Sequence, residues 1–232
     1  MKYLNALFTA VFTILTGISA AGALTGDWQI YPSFDQSVVT ATETANYVYF
    51  AGYPRDYNPE STSHRDPFMT LFRYNKEDRA IEPLTTRNLL SENYILNFAY
   101  NSDKKYLLVV YDNYNIDLIY EDGKVRNVST LKSVAIPGRK QVNQITFSAA
   151  NNQAFIATHF GYVCIDDNSY EISESRNYNT MLRSVARIGD RLMVVEGSNV
   201  YVAPFKDYRG QLGEYTVVPD LSGINMLFPM ED

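Results

Sequence analysis

The sequence predicts an all-β fold, and three observations carry the prediction. Apolar runs of five to eight residues alternate with turn clusters, and no segment of the body shows a helical stripe of helix length. Aromatic residues make up 14% of the 232 residues, nineteen of them Tyr and twelve Phe, and such side chains sit best on half-buried pleated surfaces. A four-strand pattern also recurs along the chain. Its third strands centre on Leu71, Leu118, Val163 and Tyr201, separations of 47, 45 and 38 residues. That is the spacing of propeller blades. The expected architecture is an incomplete β-propeller of about four four-stranded antiparallel blades plus the start of a fifth.

The elements follow in order. Met1-Lys2 gives a positive start, Leu4 to Ile18 is mostly apolar, and Ala21-Gly22-Ala23 fits a small-residue cleavage site. Residues 1–23 therefore read as a signal peptide, cut after Ala21 or Ala23, with residues 24–232 as a partial propeller domain. Removing Lys2 takes the net charge from −6 to −7. Trp28 to Pro32 reads as a lone strand. The first blade spans Val38 to Ala45, Tyr47 to Gly52, Phe68 to Tyr74 and Ala80 to Leu84, with an insertion from Tyr53 to Pro67. The second runs from Ile95 to Tyr100, Tyr106 to Tyr111, Ile116 to Tyr120 and Lys124 to Val128, its last hairpin marked by Asp122-Gly123.

The third blade takes Asn143 to Ser148, Ala154 to Thr158, Tyr162 to Asp166 and Tyr170 to Ser173. The fourth takes Leu182 to Ile188, Arg191 to Glu196, Val200 to Phe205 and Tyr215 to Val218. Ile224 to Phe228 has the first-strand pattern of a fifth. In each unit the second strand is the most apolar, as befits a strand buried between neighbouring blades. An open array of this kind leaves terminal faces and strand edges uncovered, which invites association.

Composition and motifs exclude several functions. A net charge of −6 without any basic run argues against nucleic-acid binding. Cys164 is the sole cysteine, so no internal disulfide forms, and its strand-like surroundings fit a small buried apolar residue. His64 and His159 have no metal-ligand spacing, and Asp112 to Asp117 lacks the register of a calcium loop. No phosphate loop and no nucleophile elbow occurs. The residues therefore identify no catalytic group, no metal and no cofactor. Binding is easier to build. Turns between second and third strands, and links between blades, gather on one face, where they would present Tyr114, His159, Arg87, Arg139 and Tyr178. Aromatic rings with a few cations suit sugar rings and acidic groups.

The order of motifs resembles a known family. Trp28 to Pro32, Leu71-Phe72-Arg73-Tyr74, Asn115-Ile116-Asp117-Leu118, Val142-Asn143-Gln144-Ile145 and Phe160-Gly161-Tyr162-Val163 are similar to the N-terminal β-propeller of PorZ-like proteins of the type IX secretion system of Bacteroidetes. The most specific pieces are the Asn-Ile-Asp-Leu strand and the Phe-Gly before a third strand. The resemblance implies a non-enzymatic envelope protein, acting at the periplasm or cell surface with secretion-system partners and anionic lipopolysaccharide. It also implies a second propeller and a C-terminal sorting domain. The membrane would be met only through export. A related group, the periplasmic propeller sensors of hybrid two-component regulators, shares the blade pattern and implies oligosaccharide sensing as the alternative.

Overall fold

The computed structural model describes residues 36–54, 69–134, 141–205 and 210–228, all within one compact unit, Gln36–Asp232. Trp28 to Pro32, most of the Tyr53 to Pro67 insertion, and Arg139 lie outside the described residues. Among the described residues sixteen strands form four separate antiparallel sheets, each a meander of four consecutive strands. The first sheet holds β1 (Gln36–Glu43), β2 (Tyr47–Pro54), β3 (Thr70–Asn75) and β4 (Ile81–Leu84). The second holds β5 (Ile95–Asn101), β6 (Tyr106–Tyr111), β7 (Ile116–Tyr120) and β8 (Val125–Val128). The third holds β9 (Val142–Ser148), β10 (Gln153–Thr158), β11 (Gly161–Asp166) and β12 (Glu171–Asn177). The fourth holds β13 (Ser184–Ile188), β14 (Arg191–Glu196), β15 (Asn199–Pro204) and β16 (Thr216–Val217). The described residues form an incomplete β-propeller of four blades.

The core lies between blades, because the second strands are apolar on both faces. All six residues of β6 are buried. Side chains alternate along a strand, so Leu107, Val109 and Tyr111 pack with Tyr49, Ala51 and Leu71 of the first blade. Tyr106, Leu108 and Val110 face the other way, onto Ala154, Ile156 and Val163 of the third. β10 repeats the arrangement, with Phe155 and Ala157 turned to Val185, Leu192 and Val194 of the fourth. First strands neighbour one another, β1 beside β5, β5 beside β9 and β9 beside β13. Their side chains bond the next blade: Asn97 Nδ2 donates to Val142 O (3.3 Å), Asn143 Nδ2 to Leu182 O (2.6 Å), and Thr146 Oγ1 to Val185 O (2.6 Å).

Two features differ from the sequence expectation. Ile224 to Phe228 forms no strand ladder; it passes the start of β13, where Leu227 alone is held by side chains of Ser184 and Gln144. The outer edges are also less inviting than expected. β4 carries Pro83, which has no N–H, and Asn88 Nδ2 covers the Pro83 carbonyl (2.9 Å). β8 has four residues and β16 two. β12, the longest outer strand, is bulged opposite Cys164 and Ile165, with the Ser173 hydroxyl bonded to Cys164 O (3.3 Å). Short strands, proline and bulges all blunt an edge.

Candidate ligand-binding face

The link from the first blade to the second carries Arg87 on a folded turn. The amides of Asn88, Leu89 and Leu90 all donate to Thr85 O, at 3.0 to 3.1 Å, and Asn88 Oδ1 accepts the Thr85 amide (2.6 Å). Leu90 is buried beneath while Arg87 is exposed at the apex. The end of the link is tied to the second blade. Glu92 Oε1 accepts from Asn115 Nδ2 (3.1 Å) and Lys132 Nζ (2.5 Å), and its bond to Lys132 pulls its carboxyl below the usual range.

Tyr114 sits in the β6–β7 turn with φ of 60°, a left-handed conformation that bulky residues rarely take. The turn is closed by Tyr114 N–H to Tyr111 O (2.9 Å) and Tyr111 N–H to Asn115 O (3.0 Å). The ring is not presented to solvent. It is 1% exposed, set edge-on to Phe160 (5.9 Å) and with its plane nearly parallel to that of His159 (7°). Burial offsets the backbone strain and pushes the Tyr114 hydroxyl up to about 12. That hydroxyl lies 2.8 Å from His159 Nδ1, which also faces the Gln141 amide at 3.4 Å. An amide can only donate, so Nδ1 is the acceptor and the Tyr114 hydroxyl donates to it.

Tyr178 stands on the next link, half-buried. Its amide donates to Phe160 O (2.8 Å), and its hydroxyl is 2.6 Å from that of Tyr215. Burial, then the Tyr215 bond, drives its pKa far up. The structure thus brings Tyr114 and His159 into contact and sets Tyr178 one step away through Phe160. Arg87 belongs to a different link. The partners of Tyr114 were hidden in sequence, since His159 is 45 residues away; only the equivalence of turns in successive repeats could have paired them.

The opposite rim carries residues that the sequence reading passed over. Asp167 from the β11–β12 turn reaches back to the second blade, accepting from Tyr106 Oη (2.6 Å) and Asn101 Nδ2 (3.0 Å). Glu121 from the β7–β8 turn likewise accepts from Asn46 Nδ2 of the first blade (2.6 Å). Next to it, Tyr120, Lys124, Arg126 and Tyr170 line an open groove of about 570 Å³, with the Arg126 guanidinium 4.4 Å above the Tyr170 ring. Cys164 is fully buried, and burial pushes its thiol up to about 12, so it is inert. Among the described residues no group of three His, Cys, Asp or Glu is placed to hold a metal ion, and no helix is long and apolar enough to cross a membrane.

The family model for the type IX secretion system (TSS9) PorZ N-terminal β-propeller domain matches residues 69–208. This chain belongs to that family. A structure of PorZ from Porphyromonas gingivalis, an essential bacterial surface component of its type IX secretion system, superposes with a TM-score of 0.64 at 22% identity. That match covers 79% of this chain and 22% of the PorZ chain. The extracellular domain of the hybrid two-component system BT4673 from B. thetaiotaomicron gives a TM-score of 0.49 at 14% identity, over 79% of this chain and 28% of that one. No curated protein matches the chain by sequence. The chain spans about a fifth of the length of the PorZ structure.

The Asn115 to Leu118 and Phe160-Gly161 segments singled out in the sequence have structural explanations here. In Asn115 to Leu118, Asp117 is fully buried. Its Oδ2 accepts from the Ser91 amide (2.7 Å) and Tyr111 hydroxyl (2.6 Å), and its Oδ1 from the Ser91 hydroxyl (2.8 Å) and Asn127 Nδ2 (2.7 Å). One carboxylate thereby ties the Arg87 link to three strands of the second blade. In Phe160-Gly161 the glycine has φ of 150°, and a Cβ there would lie 2.0 Å from Arg176 O. Glycine is required because β12 passes too close for any side chain.

Proposed function

We propose that this chain is a non-enzymatic interaction module of the cell envelope, a PorZ-family propeller serving type IX secretion and surface attachment through anionic lipopolysaccharide. The observation that carries the reading is the family match over residues 69–208, which takes in the second and third blades whole. The blades supply a rigid base, and the face supplies the exposed Arg87 guanidinium with the half-buried His159 imidazole and Tyr178 ring, while Tyr114 is buried and packs against His159. Such groups bind acidic sugars by hydrogen bonds and charge rather than transform them. Arg139, on the link leading to β9, would add a second cation. Residues 1–23 act in this reading as the export signal, delivering residues 24–232 to the periplasm or surface.

Binding of the purified chain to anionic lipopolysaccharide, compared with neutral lipopolysaccharide in the same sensor format, tests the proposal. Saturable binding to the anionic form is expected, weakened about fivefold by Arg87→Ala, as loss of one charge-assisted contact implies. Equal retention of both forms would sink it. Deleting residues 1–23 should leave the product in the cytoplasm, and export of the shortened chain would overturn that assignment.

A further inference from the structure

Ile224 to Phe228 gains little from hydrophobic contact: Met226 is 49% and Phe228 72% exposed. What holds the segment is polar and directed at the main chain. The Leu227 amide donates to Ser184 Oγ (3.0 Å), the Ser184 hydroxyl donates to Gln144 Oε1, and Gln144 Nε2 donates back to Leu227 O (2.7 Å). Three hydrogen bonds close a ring around one residue, so that both its backbone groups are met by side chains. Upstream, Gly223 N–H donates to Ser198 O (2.8 Å), and Arg183 Nη1 donates to Asn225 Oδ1.

The ring has a defined sense. An amide can only donate, so Ser184 Oγ accepts from Leu227 and must give its own hydrogen to Gln144 Oε1. That leaves Gln144 Nε2 facing the Leu227 carbonyl. Turning the glutamine amide over would set two carbonyl oxygens against each other. Ser184 is fully buried and Gln144 is 6% exposed. Emptied, the pair would hold polar atoms away from water without a main-chain partner, which is costly. Gln144 comes from β9 and Ser184 from β13, so the ring joins two blades to the segment.

We infer that Gln144 and Ser184 form a main-chain docking clamp for an extended segment, with Ile224 to Phe228 as its occupant. Because the clamp reads an amide and a carbonyl, it is indifferent to the side chain at the docked position. It fixes the register of the segment against the third and fourth blades, and it can open while both blades remain folded.

Residue-resolved hydrogen exchange on the full chain tests this. Ser184→Ala and Gln144→Ala should each speed exchange of the Leu227 amide about tenfold or more, while the Val185 and Val194 amides keep their protection. Leu227→Ala should leave the amide at position 227 as slow as before. Unchanged exchange at Leu227 in Ser184→Ala would overturn the clamp. So would equal acceleration throughout β13 and β14, or release by Leu227→Ala as large as by Ser184→Ala.

Discussion

Gly161 is a position where the close approach of two strands dictates the residue type. Adding a methyl group there forces Cβ to 2.0 Å from Arg176 O, so β11 and β12 must separate. Gly161→Ala is expected to cost about 3–5 kcal/mol in urea unfolding, the range of severe single-site changes. Tyr114→Phe keeps the buried ring and loses the hydroxyl's hydrogen bonding, that to His159 included, at a cost of about 1 kcal/mol by the same measurement. The candidate face was legible in part. Turn positions could be read from the repeat, which placed His159 and Tyr178 correctly between strands. Burial of Tyr114 could not be read, because it depends on Phe160 and His159 arriving from another blade. The Asp117 network was equally hidden: its donors come from positions 91, 111 and 127, and only the fold makes them neighbours.

Blades hold to one another through polar ties as well as apolar faces. Asp167 is one such tie, and burial raises its pKa above the ordinary carboxylate value, with Tyr106 and Asn101 opposing the shift. A raised carboxyl binds its proton more tightly in the folded state than in the unfolded chain. Its contribution is therefore most favourable at low pH and declines as pH rises from the unfolded value toward the folded one. Asp167→Asn removes that slope. Wild type should lose stability relative to the variant as pH rises above the unfolded carboxylate value of about 4, read from paired urea titrations. A constant difference would contradict the assignment. At this scale the sequence was most informative. Turn residues and apolar runs fixed β6, β7 and β14 to the residue. β12 extends four residues past the expected end because Glu174 to Asn177 are polar, and only pairing with Gly161 to Cys164 makes them a strand.

Four blades stacked by nearest-neighbour contacts behave as a short linear array, in which a unit with two neighbours is steadier than one at either end. Hydrogen exchange should find the slowest amides in β6 and β10, which are buried between blades on both sides, and faster ones in β1 and β16. Uniform protection across all four sheets would contradict this. Exposed apolar side chains on β1 (Val38 54%, Val39 52%) and near the fourth blade (Met226 49%, Phe228 72%) should make the chain associate with rising concentration, visible by light scattering. The form of that association follows from the outer strands. Fibrils grow when an incoming chain finds a long, regular strand to copy, and here the candidates are interrupted by proline, kinked, or too brief to copy. Clumps of this protein should therefore stay amorphous and dissolve on dilution, with no lag phase and no acceleration when preformed material is added.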